Sequence, residues 1–277
     1  MSNLDILSKH NFRFNKAFGQ NFIFDTNFLR SIIDKVDAAG KNVLEIGAGA
    51  GTLTSIICEK ASKVVSFEID NNLKPILEEN LKEYNNVEVV FGDIMKFTIE
   101  EIESKFDGDY IMIANLPYYI TTPIIFKFLE NATRLKSMTI MVQEEVAERL
   151  VASPNTKEYG AITPAIDYRA TAKIIKRVGR NMFTPVPNVD SAIVKIDFDN
   201  NKFEIKSTKI LDDTIKAVFA MRRKTILNNL KSYFKYSSED IEKILQVANI
   251  EKSARGETLS TSQLVELANA IYAYIFK

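Results

Sequence analysis

Short apolar runs alternate with longer amphipathic segments through about the first 200 residues of the chain. The segments at 52–61 and 72–84 carry apolar residues at three- and four-residue spacing, which predicts helices with one buried face. The apolar runs, short and rich in β-branched residues, predict strands at 42–46, 63–68, 87–91, 110–114, 137–142, 172–178 and 191–198. Strands that alternate with helices predict a mostly parallel sheet covered on both faces, with the last two strands paired antiparallel at one edge.

The pattern changes after the polar stretch at 199–207. Apolar spacing then predicts helices at 208–234, 238–249 and 260–276. Ser238 has the side chain and the position of a helix N-cap. The sequence therefore predicts an α/β domain at 1–203 and a small all-helical domain at 204–277.

Cysteine and histidine are nearly absent from the 277 residues, since Cys58 and His10 are the only residues of these types. One cysteine excludes an internal disulfide and a thiol-based zinc cluster, and one histidine excludes a histidine-based metal site and a Ser-His-Asp triad. No apolar run approaches the roughly 18–20 residues that span a bilayer, and the first residues lack the pattern of a secretory signal. We therefore expect a cytoplasmic, metal-free protein without a membrane segment.

Positive charge is local rather than global, because 36 Lys and Arg residues balance 36 Asp and Glu residues. A protein that binds nucleic acid must then concentrate its positive charge on part of its surface. Three basic clusters meet this condition: Arg169, Lys173, Lys176, Arg177 and Arg180 form the first, Arg222, Arg223 and Lys224 form the second, and Lys9, Arg13 and Lys16 form a looser third. The clusters predict contacts with RNA, and an ordinary solvated surface is the alternative interpretation.

A glycine-rich turn follows the first predicted strand, with Gly47, Gly49 and Gly51 placed before a helix. Glycines at such a turn let the backbone approach a ligand closely at the carboxyl end of the strand. Their spacing differs from the G-x-G-x-x-G fingerprint of dinucleotide sites, and Glu45 precedes them. A carboxylate there would repel a pyrophosphate but suits a ligand with an amino group and a sulfonium.

Acidic residues also stand at the ends of the next two strands. Glu68 is placed to accept hydrogen bonds from the two hydroxyls of a ribose, and Asp93 is placed to accept a hydrogen bond from an adenine amine. Ile69 and Ile94 are candidate apolar walls for the adenine ring. Three successive strand ends with this chemistry predict an adenosine-type cofactor, and the glycine spacing favours S-adenosyl-L-methionine over NAD.

The fourth strand ends in Asn115-Leu116-Pro117-Tyr118, which suits methylation of an amine. The Asn115 amide oxygen and the Leu116 carbonyl can accept the two N–H groups of an adenine amine and fix its nitrogen. Pro117 stiffens the turn, and Tyr118 can stack on the base. Phe183, in a Pro-rich loop, is a candidate to clamp the other face of a flipped base. The alternatives are a buried loop with a structural asparagine and a phenylalanine of the core.

Four segments together resemble the ribosomal RNA adenine dimethyltransferases: 19–22 (GQNF), 45–51 (EIGAGAG), 115–121 (NLPYYIT) and 183–191 (FTPVPNVDS). The segments 219–230 and 254–271 are similar to the C-terminal helical domain of the housekeeping branch of that family. The resemblance implies a class I Rossmann-like methyltransferase domain with a seven-stranded sheet at 1–203, and rRNA or ribosome recognition by 204–277. It also implies that Asn21, Ile23, Gly47, Glu68, Asp93 and Asn115 line the cofactor site.

The same resemblance implies dimethylation of two adjacent adenosines near the 3′ end of small-subunit (16S) rRNA, by a monomer acting on a pre-ribosomal 30S particle. Three alternatives stay open at this point. They are a resistance-type methyltransferase of large-subunit rRNA, a nicotinamide-dependent oxidoreductase of similar fold, and an assembly or transcription factor without catalysis. The C-terminal motif argues against the resistance-type enzyme. The glycine spacing and the lack of a histidine proton donor argue against the oxidoreductase. A factor without catalysis is disfavoured because Asn115, Tyr118 and Glu68 are intact.

Overall fold

Seven strands form one sheet in the computed structural model of the protein, which describes residues 3–199 and 202–276. The strands are β1 (Asn42–Ile46), β2 (Lys63–Glu68), β3 (Val87–Phe91), β4 (Tyr110–Asn115), β5 (Leu135–Gln143), β6 (Ala170–Val178) and β7 (Ser191–Phe198). Their order is β3-β2-β1-β4-β5-β7-β6. The pairs among β1 to β5 are parallel, whereas β7 runs antiparallel to β5. The carboxyl ends of β1 to β5 therefore meet at one edge of the sheet, and β7 begins there.

Short helices accompany these strands. They are α1 (Asn3–Lys9), α2 (Thr26–Ile33), α3 (Thr52–Cys58), α4 (Lys74–Asn80), α5 (Ile99–Glu103), α6 (Thr121–Asn131) and α7 (Glu144–Leu150). The sequence sets their starts: the Asp25 side chain accepts from Phe28 N at 2.9 Å, and Thr98 with Glu101 forms a capping box. Apolar faces of α2 and α3 pack with β1, β2 and β4 in one buried cluster. This packing holds the ends of the strands in place.

Five further helices belong to the second half of the chain: α8 (Ile162–Asp167), α9 (Thr208–Val218), α10 (Ile226–Phe234), α11 (Ser238–Val247) and α12 (Thr261–Ile275). The helix predicted at 208–234 is wrong, because the chain turns between α9 and α10. Thr225 caps α10, and three successive basic residues precede it in the turn. The cap of α11 is Ser237, one residue before the predicted Ser238. None of the described helices is long and apolar enough to span a membrane.

The chain divides into two compact units. Met1–Ala147 and Ile174–Asp197 form the first, and Glu148–Lys173 and Phe198–Lys277 form the second. This division differs from a cut at residue 203, because side chains of segment 148–173 bond to the C-terminal part of the chain: Tyr159 Oη donates to Leu259 O at 2.8 Å, and Arg169 pairs with Asp212. The polar stretch predicted at 199–207 includes residues 200 and 201, which lie outside the described ranges.

Candidate active site

An open cleft of about 640 Å³ lies at the carboxyl ends of β1 to β4, within the first unit. Eight of the nine residues predicted for the cofactor line it, namely Asn21, Gly47, Gly49, Glu68, Ile69, Asp93, Ile94 and Asn115. Ile23 instead lines a neighbouring cavity of about 360 Å³, to which Gly47 and Asn115 also contribute. The sequence did not single out the other lining residues, which include Phe18, Gln20, Phe22, Phe67 and Tyr119.

The glycine turn brings bare backbone to the cleft. Gly47 and Gly49 have positive φ of 83° and 55°, a conformation that side chains with a Cβ rarely adopt. A Cβ on Gly49 would lie 3.0 Å from the Phe22 ring. Glycine is therefore required here both for the turn and for the close approach of the N-terminal segment.

Glu68 is the last residue of β2, and it is buried, with 5% of its surface exposed. Its Oε2 accepts from Gly49 N at 2.9 Å, and its Oε1 accepts from Asp70 N at 2.8 Å. Burial raises its pKa, and these backbone hydrogen bonds oppose the rise. The two bonds fix the carboxylate at the end of β2, as the ribose acceptor predicted from the sequence requires.

Asp93 and Ile94 form the third strand end. Asp93 Oδ1 accepts from Met95 N at 3.0 Å and caps a 3-10 turn, which fixes the carboxyl group beside the cleft. Ile94 is buried and lines the cleft with Ile69. A fixed carboxylate between apolar walls fits an adenine ring with its amine.

Glu45 does not face the cleft, and the prediction that its carboxylate meets the ligand is wrong. It is fully buried, and its Oε2 accepts from Thr54 Oγ1 and Ser66 Oγ, both at 2.6 Å. Its Oε1 has no partner among the described residues. Burial raises the pKa of Glu45 to about 7, with a smaller contribution from nearby Glu68.

Asn115 ends β4 with its amide in a defined orientation. Its Nδ2 donates to the backbone carbonyl of Asn21 at 2.9 Å, so Oδ1 remains as an acceptor. None of the described residues donates to the carbonyl of Leu116, the next residue. The Pro117 carbonyl, in contrast, accepts from Ile120 N and Thr121 Oγ1. The turn therefore offers two adjacent acceptors, as its sequence predicts.

Tyr118 is held by a residue that the sequence did not reveal as part of the site. Its Oη and Ser191 Oγ are 2.6 Å apart, and Ser191 is fully buried at the start of β7. Burial also raises the pKa of Tyr118. The last residue of the 183–191 motif thus orients the tyrosine.

Phe183 is 2% exposed and packs in the same buried cluster as α2 and α3. The following residue, Thr184, exchanges two backbone hydrogen bonds with Phe22. This differs from the predicted clamp, because a ring in the core presents no face to a base. In this conformation Phe183 supports the loop.

The predicted basic residues fall into different environments. Arg169 is internal: it forms a two-pronged ion pair with Asp212 and lies 4.0 Å over the Tyr168 ring, so a contact with RNA is not supported. Arg177 pairs with Glu144, Arg180 donates to Asn188 O, and Lys176 lies over Phe28. Lys173, Arg222, Arg223 and Lys224 are exposed.

The residues of the cleft fit S-adenosylmethionine. Fixed carboxylates face the cleft, and apolar side chains line its walls. A Cβ at position 49 would fill the narrow space beside the glycine turn. In the described residues, no group of three His, Cys, Asp or Glu side chains could hold a metal ion.

Comparison with known proteins gives one consistent family. The model of the ribosomal RNA adenine dimethylase family matches residues 11–267. The Ribosomal RNA small subunit methyltransferase A of Clostridioides difficile is 42% identical over 271 residues, with 96% of this chain and 94% of that protein covered. The protein of the same name from Clostridium botulinum is 42% identical over 274 residues, covering 98% and 99%.

Two solved structures are similar over most of the chain. A dimethyladenosine transferase from Plasmodium falciparum gives a TM-score of 0.74 at 26% identity, with 89% of this chain and 95% of that one covered. The 23S rRNA methyltransferase ErmE gives 0.69 at 26% identity, with 91% and 100% covered. With the family match spanning more than half of the chain, the protein belongs to the ribosomal RNA adenine dimethylase family.

Proposed function

We propose that the protein uses S-adenosylmethionine to dimethylate the exocyclic amines of two adjacent adenosines near the 3′ end of small-subunit (16S) rRNA. The observation that carries this proposal is the pair of acceptors at the end of β4, Asn115 Oδ1 and Leu116 O, beside a cleft that fits the cofactor. The names of the two clostridial relatives support the small subunit as the target.

The chain's own residues promote methyl transfer by holding the cofactor and the target base in place. Glu68 and Asp93 would hold the ribose and the adenine of the cofactor, which supplies a methyl group on a positively charged sulfur. Before the first transfer, Asn115 Oδ1 and Leu116 O accept the two N–H groups of the target amine, and before the second transfer one of them accepts the N–H that remains. These bonds direct the lone pair of the nitrogen towards the methyl group and away from conjugation with the ring. Tyr118, oriented by Ser191, stacks on the target base.

We also propose different roles for the two parts of the chain. Catalysis belongs to the first compact unit, which contains the cleft, and recognition of rRNA in a pre-ribosomal 30S particle belongs to the part of the second unit at residues 204–277. The exposed Arg222, Arg223 and Lys224 in the turn before α10 supply positive charge for this contact. We further propose that the protein acts as a monomer in the cytoplasm.

Methyl transfer from labelled S-adenosylmethionine tests the proposal directly. Purified small and large ribosomal subunits that lack adenine dimethylation serve as parallel substrates. We expect labelled dimethyladenosine in small-subunit rRNA alone. Label only in the large subunit would make the protein a resistance-type enzyme, and no label in either would contradict methylation of ribosomal RNA.

A further inference from the structure

The N-terminal segment 15–22 crosses the cofactor cleft with little regular structure of its own. It contains one 3-10 turn (Lys16–Phe18) and one isolated β-bridge, between Phe22 and Thr184. Yet four of its residues line the cleft: Phe18, Gln20, Asn21 and Phe22. The backbone bonds of the bridge hold only its end at Phe22, so the rest of the segment depends on specific side-chain contacts for its position.

Gln20 supplies such a contact with both ends of its amide. Its Oε1 accepts from Asn15 N at 2.6 Å, and its Nε2 donates to Asp70 Oδ2 at 2.7 Å. The first bond closes the segment on itself, and the second ties it to the part of the chain just after β2. Only a side chain that has the length of glutamine and carries both an acceptor and a donor can make both bonds.

Asp70 is a firm anchor, because it is 2% exposed and held from several sides. Its Oδ1 accepts from Asn72 N at 3.0 Å, and its own N–H donates to Glu68 Oε1 at 2.8 Å. The contact from Gln20 therefore ends one hydrogen bond away from the carboxylate that faces the ribose site. A hydrogen bond to a charged, buried acceptor is also one of the stronger kinds.

We propose that Gln20 is a positioning residue for cofactor binding, which holds segment 15–22 across the cleft by anchoring it to Asp70. The inference rests on the proposed use of S-adenosylmethionine. Gln20 acts on the affinity for the cofactor and not on the transfer itself, because Asn21 and Phe22 keep their own contacts with Asn115 and Thr184 when Gln20 is replaced. Loss of the anchor loosens the part of the segment before Asn21 and weakens binding of the cofactor about tenfold.

Isothermal titration of S-adenosylmethionine into the full chain tests the anchor without any RNA. The test compares wild type, the neutral and similarly sized Gln20→Met, and Gln246→Met as the control, since Gln246 is exposed on α11. We expect Kd to rise about tenfold for Gln20→Met only, with Tm nearly unchanged. In a separate methylation assay with rRNA, kcat at saturating cofactor should stay close to that of wild type. Gln20→Ala repeats the measurement should the methionine variant not fold.

A double-mutant cycle with Asp70→Ala shows whether Gln20 acts through Asp70. In that background, Gln20→Met should change Kd by less than about twofold. The inference is overturned if Gln20→Met binds the cofactor like wild type, or if its full effect persists without Asp70. Failure of wild type to methylate rRNA, with this binding pattern intact, would contradict the proposed substrate and leave the anchor standing.

Discussion

At the scale of single residues, the site depends on the direction in which each polar atom points. The Asn115 amide is oriented by the carbonyl of Asn21, so the N-terminal segment that lines the cleft also orients the oxygen that we propose as an acceptor for the target amine. The Glu45 carboxylate, in contrast, points away from the cleft. Its position before the glycine turn suggested a ligand contact, but the alternation of side chains along β1 turns it to Thr54 and Ser66.

Replacing Asn115 with alanine removes one of the two acceptors that we propose for the target amine. We expect methylation to fall by at least about a hundredfold, because the nitrogen is no longer fixed or polarised. Binding of RNA should stay nearly intact. Filter binding of rRNA and single-turnover methylation measure the two effects separately. Asn131→Ala is the matched control, since Asn131 is exposed on α6, and full activity of Asn115→Ala would contradict the role of the turn.

Replacing Glu45 with glutamine should alter how stability depends on pH. The folded-state pKa of about 7 lies above the ordinary value of 4.5, so the folded protein holds this proton more tightly than the unfolded chain. The free energy of unfolding of wild type therefore declines as the pH rises from about 4.5 to about 7, by up to about 3 kcal/mol. The glutamine variant lacks this decline.

Urea unfolding of both proteins at about pH 5 and about pH 8 measures the effect. The stability of wild type relative to Glu45→Gln should be lower at the higher pH. Contributions of Glu68, whose pKa is also raised, occur in both proteins and largely cancel in this difference. An equal difference at the two pH values would show that Glu45 does not titrate in this range.

At the scale of elements, strands were more predictable than turns. The bounds of β1, β2, β3 and β7 agree with the apolar runs because polar or glycine residues end each run. The turn between α9 and α10 was missed because the apolar spacing continues through it. The contact of Gln20 with Asp70 joins residues 50 positions apart, and no local pattern encodes such a distance. Neither does the composition of a Pro-rich loop tell which way Phe183 points.

Gly256 is required by close packing within the second unit. A Cβ there would lie 2.7 Å from Val218 O, and that carbonyl also accepts from the buried Asn229 Nδ2 at 2.8 Å. Because the carbonyl is held, we expect Gly256→Ala to cost about 1–3 kcal/mol of unfolding free energy. Gly160→Ala, where a Cβ meets nothing within 4 Å, is the control and should stay within about 0.5 kcal/mol of wild type. Equal denaturation midpoints for the two variants would contradict the packing argument.

At the scale of the whole molecule, equal numbers of positive and negative residues make RNA binding a local property. Arg223 and Lys224 are exposed, so each can neutralise a phosphate. Replacing either with alanine should weaken binding of small-subunit rRNA and reduce the slope of log affinity against log salt by about 1. Lys252→Ala is the control, because Lys252 already pairs with Glu242. Unchanged slopes would support the solvated-surface interpretation of this cluster.

The antiparallel strand β7 also has a consequence for how such an enzyme can diverge. Its first residue, Ser191, pairs with Gln143 at the end of β5, so the loop before it returns to the edge where the parallel strands finish. The cofactor cleft is built by the ends of β1 to β4, whereas Tyr118 is held from β7. The loop at 179–190 serves both sites, since its Thr184 pairs with Phe22 of the cofactor cleft and Ser191 directly after it holds Tyr118. Sequence change in this loop therefore affects the sites for methyl donor and acceptor together, so that the two specificities evolve as linked traits.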